Sequence, residues 1–247
     1  MRVLIVGAGI GGTGLAHALS KIPGFEVVLF ERDGYMSSRN QGLVIGLKQE
    51  AVNILSNDIG CSSINNLLSP NGPRNFCITG NNISRPFLKI TNGLIVDLEG
   101  KFVCSLVDRA ELRNDMVRQL PVSCKVQYGK RFLRYDETSS GVVAHFEDGT
   151  HEIGDILVGA DGARSAVRHQ RCPSLEPVNL GIWTNGGTFF IDDNPRSREL
   201  QSNPLVQLSY ANLVRLLGSH GASLLCFTCP AAANRLRLLW SVSLPKP

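Results

Sequence analysis

Aromatic residues are sparse in this sequence, and neither sign of charge dominates. Phe, Trp and Tyr make up 6% of the 247 residues, and the formal net charge is +4. Single-stranded nucleic-acid sites stack bases on aromatic side chains, and nucleic-acid binders in general concentrate Lys and Arg on one face. No Lys/Arg block recurs along the chain, so the sequence argues against a nucleic-acid partner.

The sequence also lacks a long uncharged apolar run. A transmembrane helix needs about 18 or more such residues, and no run reaches that length. The N-terminus, MRVLIVGAGIGG, passes from a short apolar run into a glycine loop, whereas a secretory signal needs a longer apolar region and a cleavage site. We therefore expect a cytoplasmic protein of one large domain or two modest ones.

The cysteines do not have the spacing expected of metal ligands. The seven cysteines, from Cys61 to Cys229, are odd in number and irregularly spaced. Cys226 and Cys229 form a CxxC, but no second Cys or His pair completes a zinc site. They lie in the apolar run ASLLCFTC, which is typical of a strand. We expect reduced, mostly buried thiols and no metal site, with a redox or metal role for this pair as the minor alternative.

The first thirty residues have the pattern of a β-α-β unit. Residues 2–6 form an aliphatic run typical of a strand buried on both faces. A glycine loop then opens a helix with apolar residues on one side, and Pro23-Gly24 ends it. Residues 25–30 predict a second strand, which leads to Glu31. Within this unit, the sequence Gly7-x-Gly9-x-x-Gly12 predicts a dinucleotide site.

The spacing of the loop explains this prediction. Gly7 permits a tight turn, Gly9 lets the backbone approach a pyrophosphate, and Gly12 lets the helix pack on the strand. The helix N-terminus offers unpaired N–H groups and a positive dipole end to the phosphates. At the end of the second strand, Glu31 can accept both hydroxyls of an adenosine ribose and repel a 2′-phosphate. We therefore expect FAD or NAD rather than NADP, with a purely structural acid as the alternative.

A second turn of small residues lies at 154–168, in GDILVGADGARSAVR. It reads as a strand, a turn and a helix start, with Asp161-Gly162 just beyond the strand. Open α/β sheets bind ligands at this end of their strands. A bare Asp-Gly would indicate an ordinary turn, but the pattern here is longer, from Asp155 to Arg168.

Other segments predict further elements. A helix is expected after Asp108, with Leu112 and Met116 on its apolar side and Glu111 in a capping box. VVAHFEDGTHEI predicts a hairpin whose flanking His145 and His151 face solvent. Strands are expected at GTFFI and LRLLWSVSL, and residues 57–86 are expected to be mainly loop.

Together these motifs resemble the FAD-dependent aromatic hydroxylases of the para-hydroxybenzoate hydroxylase type, which are single-component flavoprotein monooxygenases. VGAGIGG, LAHAL and FER match the family's first loop and its acid, and GDILVGADGARSAVR matches its internal Asp-Gly motif. VDRAELRNDM resembles the helix start that reaches the flavin nucleotide, and RNQGLVIGL resembles the segment that lines the flavin. The resemblance covers about residues 1–60 and 100–175.

The resemblance implies an α/β fold. A Rossmann-like FAD-binding domain with a parallel sheet, from residues 1–72 and 104–176, would be interleaved with a partial, β-sheet-rich substrate domain from 73–103 and 177–247. The residues that would contact FAD are Gly7, Gly9, Gly12, Glu31, Arg32, Arg39, Gln41, Arg109, Asp161 and Gly162.

The implied activity is that of an FAD-dependent monooxygenase of secondary metabolism. NAD(P)H is the expected co-substrate, and O2 would be used to hydroxylate or epoxidise a small organic substrate, aromatic or polyketide-like. The sequence shows no nucleophile–base pair, GxSxG or metal-ligand cluster. That composition suits an enzyme whose cofactor carries the chemistry, and no catalytic side chain is predicted.

One signature of the family is missing. No Gly-Asp motif occurs in residues 176–247; in the family it supplies an aspartate to the ribityl chain and a helix N-terminus facing the flavin. We therefore expect a chain that is shortened or incomplete before this motif. Two alternatives stay open: a catalytically inactive remnant that binds FAD or a nucleotide, and an NAD-linked flavoprotein reductase.

Overall fold

The computed structural model describes residues 1–36, 44–61, 64–69, 75–80, 88–90, 105–191, 195–210, 212–230 and 236–246. The strands in these ranges are β1 (Arg2–Val6), β2 (Glu26–Glu31), β3 (Val44–Leu47), β4 (Leu68–Ser69), β5 (Asn75–Thr79), β6 (Leu88–Ile90), β7 (Ser105–Asp108), β8 (Cys124–Tyr128), β9 (Phe132–Thr138), β10 (Gly141–Phe146), β11 (His151–Gly154), β12 (Ile156–Gly159), β13 (Ile182–Ile191), β14 (Asn212–Leu217), β15 (Ser223–Pro230) and β16 (Leu236–Pro245).

The helices in the same ranges are α1 (Ile10–Ser20), α2 (Gln49–Asn53), α3 (Ile64–Leu67), α4 (Arg109–Arg118), α5 (Ala166–Arg171), α6 (Pro195–Ser202) and α7 (Pro204–Ser209). A π-helical turn covers Ile54–Ile59 and a 3-10 turn covers Ser219–Gly221. The chain divides into two compact units. Unit 1 comprises residues 1–42, 53–65 and 109–178, and unit 2 comprises residues 43–52, 66–108 and 179–247.

Unit 1 is built on a parallel sheet with the strand order β12-β1-β2-β8. Because successive side chains of a strand point to opposite faces, the aliphatic runs of β1 and β2 supply two cores. Val3 and Leu29 pack on the face that α1 covers. Leu4 and Phe30 pack on the other face. The predicted β-α-β unit is confirmed, with strands buried on both sides.

The second face of this sheet is covered by a three-stranded antiparallel sheet with the order β11-β10-β9. Phe146 of β10 lies against Phe30, with ring centroids 4.6 Å apart. The predicted hairpin is confirmed, and Gly149 at its turn has a φ of +83°. His145 and His151 pair across it, and His145 Nε2 lies 2.9 Å from Asp136 Oδ2 at the surface.

Two helices meet on the α1 face of unit 1. The ring nitrogen Nε2 of the buried His17 donates to the carbonyl of Met116 at 2.7 Å and so links α1 to α4. Leu112 and Met116 are fully buried, as the apolar spacing predicted. This contact fixes how α4 lies beside the first loop.

Unit 2 contains a six-stranded sheet with the order β13-β16-β15-β14-β5-β6. β14 and β5 are parallel, and the other neighbours are antiparallel. The strands predicted at GTFFI, ASLLCFTC and LRLLWSVSL are confirmed. The prediction of mainly loop for residues 57–86 is wrong at α3 and β4, and at Asn75–Thr79, where Cys77 and Thr79 are completely buried. Pairing with β14, far along the chain, overrides the polar composition around this strand.

The two cysteines of the CxxC sequence lie in β15 and serve different cores. Cys226 packs with Val214 and Ile191, whereas Cys229 packs with Phe227 and Leu239. Residues three apart in a strand point to opposite faces, so the two thiols do not converge on one ion. Burial raises the pKa of the Cys226 thiol to about 11, which keeps it protonated at neutral pH.

Candidate functional site

The glycine loop joins β1 to α1 in unit 1. Gly7 has a φ of +106°, in the left-handed region that favours glycine, and its N–H donates to the Phe30 carbonyl at 2.7 Å. Gly9 is extended, with φ −77° and ψ −178°, and its carbonyl accepts from Thr13 N at 2.9 Å. The loop is therefore anchored to β2 on one side and leads directly into α1 on the other.

Gly7 and Gly12 leave no room for a side chain. A Cβ at Gly7 would lie 2.4 Å from the Ala160 carbonyl oxygen, and a Cβ at Gly12 would lie 2.0 Å from the Gly7 oxygen. The predicted tight turn and close helix packing thus have direct structural counterparts. The same contacts bring the first loop against the second motif, since Ala160 precedes Asp161.

Gly9 and Gly11 behave differently. A Cβ at either position meets no atom of the described residues within 4 Å. The packing of the described residues therefore does not account for a glycine at position 9. An anionic group approaching the N-terminus of α1 would account for it, because helix N-termini bind phosphates through their unpaired N–H groups. The loop fits the diphosphate of a dinucleotide.

The two motifs run side by side because β1 and β12 are parallel neighbours. Val6 pairs with Gly159, and Ala160 N donates to the Val6 carbonyl at 2.8 Å. At the other end of the pair, Arg2 N donates to Asp155 Oδ2 at 2.6 Å. The carboxyl ends of β1, β2 and β12 therefore share one edge of the sheet, where open α/β folds bind ligands.

Asp161 caps the helix that follows it. Its Oδ1 accepts from Ser165 Oγ at 2.5 Å, and its Oδ2 accepts from the N–H groups of Ala166 at 2.7 Å and Val167 at 3.3 Å. Ser165 Oγ in turn accepts from Arg168 N at 2.9 Å. The carboxylate satisfies the first N–H groups of α5, where a negative charge is favourable. Its predicted contact with FAD stays a prediction.

The small residues around Asp161 serve the same turn. Gly162 has a φ of +85°, so a glycine suits the backbone there. A Cβ at Gly159 would lie 2.8 Å from the Cβ of Val167, so the absence of a side chain lets α5 pack on β12. Close packing thus explains Gly159, and the left-handed backbone explains Gly162.

Glu31 lies at the end of β2 and is largely buried, with 9% of its surface exposed. Its Oε2 accepts from Ala8 N at 3.2 Å, and its Oε1 accepts from Asp33 N at 3.1 Å. Arg113 Nη2 lies 3.3 Å from Oε2. A carboxylate accepts about four hydrogen bonds, so these three contacts leave capacity for a ribose hydroxyl.

Arg113 was not among the predicted residues. From α4 its Nε donates to the Ala8 carbonyl at 2.8 Å and its Nη1 to the Met36 carbonyl at 3.1 Å, in addition to the contact with Glu31. One side chain thus connects the glycine loop, the acid and the segment after β2. The signal in the sequence was its position one helical turn after Arg109, since residues four apart share a helix face.

Tyr128 was also not among the predicted residues. It lies on β8 directly opposite Glu31 in the parallel pair. Its hydroxyl is shielded from solvent and has no hydrogen-bond partner among the described residues. Burial raises the pKa of Tyr128, while the nearby Arg113 guanidinium acts to lower it and Glu31 to raise it.

The other predicted residues lie at different places. Arg32 follows Glu31 and is about half exposed, with its Nε 4.0 Å from Asp33 Oδ1. Arg109 is the half-buried first residue of α4. Arg39 and Gln41 lie outside the described residues. None of the helices in the described ranges is both long enough and apolar enough to cross a membrane.

Comparison with known proteins gives matches over most of the chain. Residues 1–196 match the family described as the FAD binding domain. The chain is 33% identical over 186 residues to the dual O-methyltransferase/FAD-dependent monooxygenase CTB3 of Cercospora beticola, covering 72% of this chain and 21% of that protein. It is 36% identical over 175 residues to the FAD-dependent monooxygenase thnD of Trichoderma harzianum, covering 69% and 40%. It is 30% identical over 169 residues to the FAD-dependent urate hydroxylase of Klebsiella pneumoniae, covering 68% and 42%.

Solved structures share the fold. HpxO of Klebsiella pneumoniae, in complex with FAD and uric acid, superposes with a TM-score of 0.73 at 24% identity, covering all of this chain and 57% of that one. The 2,6-dihydroxypyridine-3-hydroxylase of Arthrobacter nicotinovorans gives a TM-score of 0.75 at 18% identity, covering 99% and 56%. The matched part of this chain thus spans less than half of each curated relative named above, and somewhat more than half of the solved structures.

Proposed function

We propose a function for this chain on the basis that it belongs to the FAD binding domain family. The proposed function is that of an FAD-dependent monooxygenase, an oxidoreductase of the cytoplasm. It uses NAD(P)H and O2 to hydroxylate or epoxidise a small organic substrate, aromatic or polyketide-like. The relatives named FAD-dependent monooxygenases support this assignment.

One observation carries the proposal. Two backbone turns that are far apart in sequence meet at one sheet edge, where Gly7 contacts Ala160 and Glu31 is held beside Ala8. Such an edge is where a dinucleotide lies across an open α/β sheet. We assign FAD binding to unit 1 and substrate binding to unit 2. The domain bounds predicted from the sequence, 1–72 with 104–176 and 73–103 with 177–247, stay a prediction, and they differ from the units mainly at residues 43–52, 66–72 and 104–108.

The residues have distinct roles in this proposal. The N-terminus of α1 binds the diphosphate at Gly9, and Glu31 accepts hydrogen bonds from the adenosine ribose. Arg113 orients Glu31. When bound, FAD supplies the redox chemistry between NAD(P)H, O2 and the substrate. The protein binds and orients the reactants and keeps water away from them. Further FAD contacts are assigned to Gly7, Gly12, Arg32, Arg39, Gln41, Arg109, Asp161 and Gly162.

An FAD titration of the purified chain tests this function. We expect binding that quenches flavin fluorescence, and about a 10- to 100-fold weaker affinity in Glu31→Gln, because hydrogen bonds to a charged acceptor contribute about 1.5–3 kcal/mol. Glu26→Gln is the matched control, since Glu26 is an exposed acid at the opposite end of β2. A wild-type chain that binds no FAD, or equal affinity in Glu31→Gln, contradicts the proposal.

Turnover separates the monooxygenase from its alternatives. A monooxygenase consumes NAD(P)H and O2 together and does so faster when its substrate is present. A flavoprotein reductase oxidises the nicotinamide without this coupling to an organic substrate. A protein that binds FAD and shows no turnover is the inactive binder.

A further inference from the structure

Tyr128 faces the same side of the parallel sheet as Glu31. The two residues are partners in the register of β2 and β8, and partners in neighbouring parallel strands point to the same face. On that face Leu29 and Val126 pack in the core under α1. The strand ends are held together where Lys130 N donates to the Glu31 carbonyl at 2.9 Å. The phenol therefore lies at the same sheet edge as the acid.

The Tyr128 hydroxyl is an unusual group in this position. It is shielded from solvent and makes no hydrogen bond to the described residues. A buried hydroxyl without a partner destabilises the state that contains it, and native proteins pair nearly all such groups. Burial is the largest influence on its pKa and raises it, so the phenol stays neutral near pH 7. It can then both donate and accept a hydrogen bond.

Arg113 contacts the same Glu31 that Tyr128 lies opposite, and its charge acts to lower the pKa of the phenol. A guanidinium carries five N–H donors, and three contacts of Arg113 are to Ala8, Met36 and Glu31. The contact with Glu31, at 3.3 Å, is the longest of the three. It shares Oε2 with Ala8 N. The remaining capacity of Glu31 lies mainly on Oε1, whose one contact is with Asp33 N. A second ribose hydroxyl that binds at Oε2 therefore competes with Arg113 for that oxygen.

We propose that Tyr128 is a positioning residue of the adenosine subsite, and that its hydroxyl accepts a hydrogen bond from Arg113 when ribose hydroxyls occupy Glu31. This inference rests on the proposed function, because it needs an adenosine group at Glu31. This change of hydrogen-bond partner from Glu31 to Tyr128 keeps the largely buried Arg113 guanidinium paired. A buried charge that loses its partner is strongly unfavourable. The hydroxyl, which has no partner among the described residues, thereby gains one on binding.

Tyr128→Phe tests the inference through ligand affinity and stability, measured separately. Without ligand, we expect an unchanged or higher unfolding temperature, because the Tyr128 hydroxyl makes no hydrogen bond to the described residues. With ligand, we expect the affinity for ADP and for FAD to fall about threefold to tenfold, the effect of one hydrogen bond. Titration calorimetry with ADP alone measures the adenosine half without any flavin or turnover. Tyr135→Phe is the matched control, because Tyr135 packs on the opposite face of the sheet.

A double-mutant cycle tests the route through Arg113. In an Arg113→Lys background, Tyr128→Phe is expected to leave ADP affinity unchanged, because coupled residues are not additive. If Tyr128→Phe lowers ADP affinity equally in the wild-type and Arg113→Lys backgrounds, the inference is wrong. It is also wrong if Tyr128→Phe leaves ADP affinity unchanged, or if the loss of affinity comes with a lower unfolding temperature. If wild-type protein binds neither ADP nor FAD, the proposed function fails and the inference with it. If wild-type protein binds ADP and FAD and Tyr128→Phe does not change the affinity, the inference fails while the proposed function stands.

Discussion

Gly11 and Gly12 are neighbours in α1, yet a methyl group meets different surroundings at the two positions. At Gly12 it would overlap the Gly7 carbonyl oxygen, and at Gly11 it meets no described atom within 4 Å. Gly12 is therefore required by the fold. Gly11 is a helical glycine that the packing of the described residues does not require.

Replacing each glycine by alanine measures this difference. We expect Gly12→Ala to lower the free energy of unfolding by about 3 kcal/mol, at the upper end of the usual cost of overpacking. Gly11→Ala is expected to leave it unchanged or raise it by up to about 1 kcal/mol, because glycine is unfavourable within a helix. Urea denaturation of both variants gives the comparison. Equal stability of the two variants contradicts the steric account of the loop.

At the scale of elements, α5 depends on two residues that precede its first turn. Asp161 and Ser165 together satisfy its first N–H groups. We expect Asp161→Ala to lower the free energy of unfolding by about 1–2 kcal/mol through loss of this cap. Asp161→Asn is expected to retain most of it, since asparagine caps nearly as well. Chemical denaturation of both variants measures the cost.

The same pair of variants separates two roles of Asp161. If the carboxylate acts only on α5, Asp161→Asn keeps wild-type FAD affinity. If Asp161→Asn keeps its stability and loses FAD affinity, the carboxylate itself contacts the cofactor. Replacement with asparagine is therefore the more informative change for the predicted FAD contact.

The β10–β11 hairpin carries an acid-sensitive group. The pKa of the Asp148 carboxyl is lowered from 3.8 to about 2. The largest cause is the hydrogen bond from the Lys130 ammonium, followed by those from the Thr150 hydroxyl and N–H. A lowered folded-state pKa contributes stability above the unfolded value, and the contribution disappears as the pH falls from about 4 to about 2. We expect Asp148→Asn to flatten the pH dependence of unfolding in that window. Glu147→Gln, an exposed neighbour, is the control; equal flattening there refutes the assignment.

At the scale of the whole molecule, local patterns predicted structure well where the partners lie close in sequence. The β-α-β unit and the 142–153 hairpin formed as expected, because their strands and turns are neighbours along the chain. β5 escaped prediction because its parallel partner β14 is remote in sequence. Pairing of that kind depends on the tertiary fold, which a short run of five residues does not reveal.

The residues of the candidate site also differ in whether the sequence predicted them. Gly7, Gly12 and Glu31 were recognisable from spacing alone, since each has its role within one β-α-β unit. Arg113 and Tyr128 were not, because both reach Glu31 from elements much later in the chain. Their relevance depends on the position of α4 against α1 and on the order of β2 and β8 in the sheet. Neither is encoded in a short motif.

The contact of Gly7 with Ala160, and of Gly12 with Gly7, makes the two loops a single interlocked body. A chimaera that takes residues 7–12 from one homologue and residues 159–162 from another must therefore match them as a set. A side chain in place of Gly7 would overlap the Ala160 carbonyl, and one in place of Gly12 would overlap the Gly7 carbonyl. Sequence change at Gly7, Gly12 and Ala160 is accordingly expected to be concerted.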